Sequence, residues 1–184
     1  MKRILLFAVF GMITVLSVLI SCQTENKTAH QNFISGKSNV LVCPVHILCN
    51  QESLYDTLIS KEIVAYLNGE NYANASFTKI CPPANNVWSH NEAKMLTTSV
   101  DLFIEYVKNN PLPENTYILY LEFLKGGQDK KIIGIHYCVL NNKGEIAMKG
   151  LLNSAWDEFK KVNPKTDEDC FSVFKNGFDE KMKN

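Results

Sequence analysis

The sequence predicts an α/β (α+β) domain: a single mixed β-sheet flanked by helices, in the order β-α-β-α-β-β-β-α-α. Three observations carry this. Two apolar stripes recur at helical spacing and stop at turn residues. A short β-rich run precedes each of them. A block of three apolar runs joined by Gly- and Asn-containing turns then reads as an antiparallel meander. In order, Val40-Leu41-Val42-Cys43 is the first strand, ended or bent by Pro44, which cannot donate to a ladder. Val45 to Leu48 extends it past a bulge. Ser53 to Asp56 reads as a helix start, a Ser cap with an acid three residues on. Leu58, Ile59, Ile63, Tyr66 and Leu67 form that helix's apolar face, and Asn68-Gly69 stops it. Ala75 to Cys81 is the second strand, closed by Pro82-Pro83. Ser89 to Glu92 is a second capping box, ahead of the stripe Leu96, Val100, Phe103 and Val107. Tyr117 to Leu124 is nearly all apolar, as in a strand covered on both faces. Ile132 to Leu140 and Glu145 to Leu151 complete the meander. A short helix from Ser154 and a last one capped at Thr166 close the chain, the latter with acids set against its N-terminal dipole.

Ahead of this domain the chain opens Met1-Lys2-Arg3, then runs from Ile4 to Ile20 without a charge. A charged start, an apolar stretch and a small-residue exit describe a secretory signal. Leu19-Ile20-Ser21-Cys22 resembles the lipobox of bacterial lipoproteins. That resemblance implies diacylglyceryl transfer to the Cys22 thiol, cleavage before Cys22 and acylation of the new amine. Residues 1–21 are therefore expected to be a cleaved signal peptide, 22–39 the lipidated cysteine and a flexible tether, and 40–184 one globular domain. From Cys22 onward the chain has 17 basic and 19 acidic side chains. That balance gives no electrostatic case for nucleic acid. Two or three acyl chains hold a protein stably at a membrane. The expected location is the bacterial cell envelope, and Gln23 after the cysteine allows sorting to an outer membrane, facing the periplasm.

The opening Val40-Leu41-Val42-Cys43-Pro44-Val45 with its polar loop and long amphipathic helix is similar to the start of TolB N-terminal-like domains. Tyr117 to Leu124 followed by Ile132 to Gly150 resembles their later paired strands. Such domains occur in envelope lipoproteins, including the curli secretion lipoprotein and the outer-membrane activators of penicillin-binding proteins. The resemblance covers residues 40–153. It implies an accessory or assembly factor that binds an envelope protein, and no active site.

The candidate site residues are few. Of six cysteines, Cys22 is assigned to lipid, leaving an odd five. Cys43 and Cys81, on strands expected to be neighbours, are a candidate disulfide, with Cys49 and Cys81 as the other pairing. Cys43-x-x-His46-x-x-Cys49 resembles a ligand spacing, but residues three apart on a continuous strand point to opposite faces. Cys43 and Cys49 would share a face and His46 would point away, so no metal or cofactor is assigned. His90 and His136 lack an acid and a nucleophile at any recognised spacing, and no Gly-x-Ser-x-Gly, His-Glu-x-x-His or phosphate loop occurs. Trp88, on the loop after Pro82-Pro83, is either a partner-binding anchor or a hydrophobic staple onto Ala93. The alternative to a partner-binding domain is a tethered envelope hydrolase or thiol-dependent enzyme, its residues assembled from distant parts of the chain.

Overall fold

The computed structural model describes residues 24–35, 38–83, 85 and 88–183. The expected signal peptide and Cys22 lie outside the described residues. Among the described residues, no helix is long and apolar enough to cross a membrane.

A seven-stranded mixed sheet forms the centre, with helices on both faces. Its strands are β1 (Asn39–Val42), β2 (Val45–Cys49), β3 (Glu52–Asp56), β4 (Asn74–Phe77), β5 (Thr116–Gly126), β6 (Lys131–Asn141) and β7 (Ile146–Asn153). The helices are α1 (Lys27–Ser35), α2 (Thr57–Gly69), α3 (Glu92–Asn109), α4 (Asp157–Val162) and α5 (Asp167–Met182). β1 runs parallel to both β4 and β5, while β5, β6 and β7 form the expected antiparallel meander. From β1 the chain moves out by one strand to the parallel β4 by way of α2, and from β4 it returns across β1 to the parallel β5 by way of α3. Crossovers of one hand but opposite direction place their helices on opposite faces. Accordingly Ile59, Ile63 and Leu67 of α2 join one core with Val40, Val42, Leu119 and Phe123. Phe103, Val100 and Val107 of α3 join another with Ile118, Tyr120, Cys138 and Leu140.

β1 and β2 are two halves of one broken strand against the same edge of β5. Val42 pairs with Leu119 and His46 with Glu122. Three residues on the first strand thus oppose two on β5, a bulge of one residue. Pro44 sits in it and has no N–H to give, whereas Cys43 still donates to the Leu119 carbonyl at 3.0 Å. Because side chains alternate, one extra residue inverts the facing of everything after it. Cys43 and His46 therefore both face α3, and Cys49 faces the other way with Ile47. This corrects the expected arrangement, in which Cys43 and Cys49 shared a face and His46 opposed them.

Three further expectations are corrected. Residues 27–35, read as part of a tether, form α1, whose Ala29 and Phe33 are buried. Phe33 packs on Tyr117 at 5.0 Å and edge-on to Phe178 at 6.3 Å between ring centroids. One aromatic in a polar stretch supplies the anchoring contact. Ser53 to Asp56, read as a helix cap, is β3 instead, hairpinned onto β2. The α2 cap is Asp56, whose carboxylate accepts from the Leu58 and Ile59 N–H groups, leaving Leu58 outside the buried face. The strand expected over 75–81 is shorter, ending at Phe77. The capping box at Thr166 is present, with Asp169 as its acid.

Candidate functional site

Four side chains lie in one row across the sheet on the α3 face. Tyr55 on β3 pairs with His46 on β2, His46 with Glu122 on β5, and Glu122 with His136 on β6. His46, Glu122 and His136 are fully buried. Isolated charge at such depth costs several kcal/mol, so it must be satisfied locally. Glu122 accepts three hydrogen bonds: from His46 Nδ1 at 2.8 Å, from the Tyr120 hydroxyl at 3.1 Å, and from His136 Nδ1 at 3.1 Å. Burial by itself would push the Glu122 carboxyl up. The hydrogen bonds from His136 and His46 outweigh it and hold the group below its ordinary value. Burial, reinforced by the neighbouring Glu122 charge, pushes the Tyr120 hydroxyl well up, so it stays a donor.

A carboxylate only accepts, so the partnership with Glu122 places the His46 proton on Nδ1. In the neutral ring Nε2 is then a bare lone pair, and it meets the Ser53 hydroxyl at 2.7 Å. The same reasoning protonates Nδ1 of His136, and in the neutral ring its Nε2 is a buried acceptor with no hydrogen-bond partner among the described residues. The row runs from depth to surface. Ser53 is half-buried on β3, and half-exposed Tyr55 lays its ring 5.4 Å from that of His46. Chemically, this is a hydroxyl, an imidazole base and a carboxylate that fixes the base's tautomer, in that order.

The bulge at Pro44 is what brings His46 to this row. Without the extra residue His46 would fall opposite Phe123 and face α2.

No protein-family model, curated protein or solved structure matches this chain.

The residues singled out from sequence are placed as follows. Cys43 and Cys81 come into side-chain contact beside Tyr106, and both are free thiols here. Burial first, and contact with Cys81 second, push the Cys43 thiol well up. Burial likewise raises Cys138 and Cys170. Thiols held protonated are poor nucleophiles, so Cys43, Cys138 and Cys170 do not suit the thiol-dependent version of the enzyme alternative. In an oxidising compartment the Cys43–Cys81 pair is expected to close. Intact mass of protein isolated under alkylating conditions would show loss of two hydrogen atoms, and Cys81→Ser would abolish that loss. Trp88 is half-buried with its ring over Gly126, where an added Cβ would come within 2.9 Å of it. It packs with Leu48, Met95 and Leu124. His136 does have an acid, Glu122, contrary to the expectation from spacing. The signal for it was Glu122, the one charge in the run from Tyr117 to Leu124. Single histidines in the strands on either side complete that signal.

Proposed function

We propose that this chain is a lipid-anchored lipoprotein of the bacterial cell envelope, held through Cys22 and facing the periplasm at the outer membrane. Its domain binds an envelope protein as an accessory or assembly factor. The lipobox resemblance at Cys22 and the domain resemblance over 40–153 motivate the reading.

The observation that carries it is the open edge at β3. Among the described residues β3 pairs only with β2. Such an edge presents unpaired backbone groups, and proteins ordinarily blunt it with lysine, proline or a covering loop. Here it carries Leu54, 58% exposed, and Tyr55, 50% exposed, with Leu58 beside them at the start of α2, 70% exposed. An extended, apolar segment of a partner, added as a further strand, fits such an edge.

Two measurements test the reading. Metabolic labelling with a clickable palmitate is expected to mark the wild-type chain and not Cys22→Ser; an unlabelled wild type would sink the anchor. Photo-crosslinkers at Leu54 and Leu58 in the native envelope are expected to give one adduct of defined mass, absent with a crosslinker at Lys143 on the far hairpin. An adduct equally strong at Lys143, or none at Leu54, would sink the edge as the docking site.

A further inference from the structure

We infer that Ser53 is an activated nucleophile, with His46 as its general base and Glu122 as the positioning carboxylate, acting on esters with an apolar acyl group. The inference is independent of partner binding and rests on the geometry around Ser53.

A serine touching a histidine is common and means little alone. The continuity of this array is what matters. Ser53 Oγ meets Nε2 at 2.7 Å, and Nδ1 of the same ring meets Glu122 Oε1 at 2.8 Å. Each contact uses the nitrogen that the chemistry requires. The base cannot turn away: the carboxylate that holds it is itself held by Tyr120 and His136. The Tyr55 ring lies against it. His46 and Glu122 are sealed from water, so their interaction is stronger than at a surface. Ser53 alone reaches the surface, on the sheet's open edge. Tyr55, two residues on and on the same side of β3, offers a half-exposed aromatic wall for an acyl group.

The chemistry balances with water as the only co-reactant. Ser53 Oγ attacks the ester carbonyl carbon, forming a C–O bond, while its proton passes to His46 Nε2. The tetrahedral adduct collapses, the bond to the leaving alkoxide breaks, and Nε2 returns the proton to the departing alcohol. Water then attacks acyl-Ser53, giving up a proton to Nε2. Collapse releases the carboxylic acid and restores the serine hydroxyl. Glu122 stays ionised throughout and stabilises the transient imidazolium.

The test uses the folded mature protein with a fluorophosphonate probe and p-nitrophenyl butyrate. A covalent adduct mapped by mass spectrometry to Ser53, with ester turnover that Ser53→Ala abolishes, is the expected result. His46→Gln is expected to slow labelling about 10²–10⁴-fold, the usual contribution of a positioned general base. If His46→Gln fails to fold, Ser53→Cys keeps the question open to measurement. Its alkylation by iodoacetamide should proceed at neutral pH, well below where a free thiol ionises. No adduct at Ser53, or labelling spread equally over exposed serines such as Ser154, would overturn the inference. So would alkylation of Ser53→Cys with the pH profile of a free thiol. Ser53→Ala should leave the Leu54 cross-link intact, which separates failure here from failure of the docking edge.

Discussion

Replacing Glu122 with glutamine is expected to lower unfolding free energy by about 3–5 kcal/mol, the range for breaking a buried charge network from one side. The wild-type carboxylate accepts from His46, Tyr120 and His136. A glutamine amide offers one oxygen to three donors and sets its own NH₂ against an imidazole N–H. Urea unfolding at pH 7 measures the loss. The pH dependence has a definite sign. A carboxyl whose folded pKa is lowered from 4.5 contributes stability that is full above that value. The contribution disappears as pH falls through the lower folded value. The gap between wild type and Glu122→Gln should therefore be widest near neutrality and narrow on acidification below about 4.5. A gap that stays constant down to pH 3 would show that Glu122 is not ionised in the fold. A companion experiment isolates desolvation. Replacing His46 and His136 with leucine, Glu122 with leucine and Tyr120 with phenylalanine together is expected to cost less than Glu122→Gln alone. No buried charge is then left without a partner, and the half-buried Ser53 hydroxyl can turn to water.

The second large effect is expected at Gly150 on β7. Gly150 lies opposite Tyr137 in the β6–β7 register. A Cβ built there would fall 2.0 Å from Tyr137 Cε1 and 2.4 Å from Cζ. The ring cannot retreat, since it is fully buried, edge-on to Phe174 at 5.5 Å and against Phe178 at 5.9 Å between centroids. Overpacking a rigid core costs about 1–3 kcal/mol, and more where nothing can yield. Gly150→Ala is expected at or above the top of that range, lowering Tm by about 6–12 °C in a domain of this size. Tyr137→Leu in the Gly150→Ala background should recover part of the loss, a coupling that a double-mutant cycle reads directly. Simple additivity of the two changes would mean that the ring and the glycine do not interact.

Much of the fold was legible. α3 announces itself by a stripe from Leu96 to Val107, and β5 and β6 by length and continuous apolarity. Those signals are strong because burial dictates them residue by residue. The elements that escaped are those in which one contact overrides a local preference. α1 is polar apart from Ala29, Phe33 and Ile34. β3 carries a serine and an aspartate at helix-cap spacing, yet pairs with β2 because the Asn50-Gln51 turn folds it back, Asn50 taking a positive φ of 56°. The site was hidden for a related reason. Its residues sit on β2, β3 and β5, and their meeting depends on a register shift of one at Pro44. Alternation counted straight through Pro44 sends His46 to the wrong face. Glu122 was visible all along as a lone carboxylate in an apolar strand, and a buried charge demands partners.

The docking of α1 has a consequence for how a chain anchored at Cys22 would stand on its membrane. Only Gln23 to Asn26 separate that cysteine from Lys27, where α1 begins, and Asn26 is already bound to the Ile146 carbonyl at 2.7 Å. Those few residues span at most about 17 Å when fully extended. The leash is thus short, and it is fastened at the β7 side of the sheet, where α1 packs. The β3 edge lies four strand spacings away, about 19 Å at the usual separation. Such a domain would ride close to the headgroups with a preferred side down, holding Leu54, Tyr55 and Ser53 outward, toward whatever passes on the side away from the lipid.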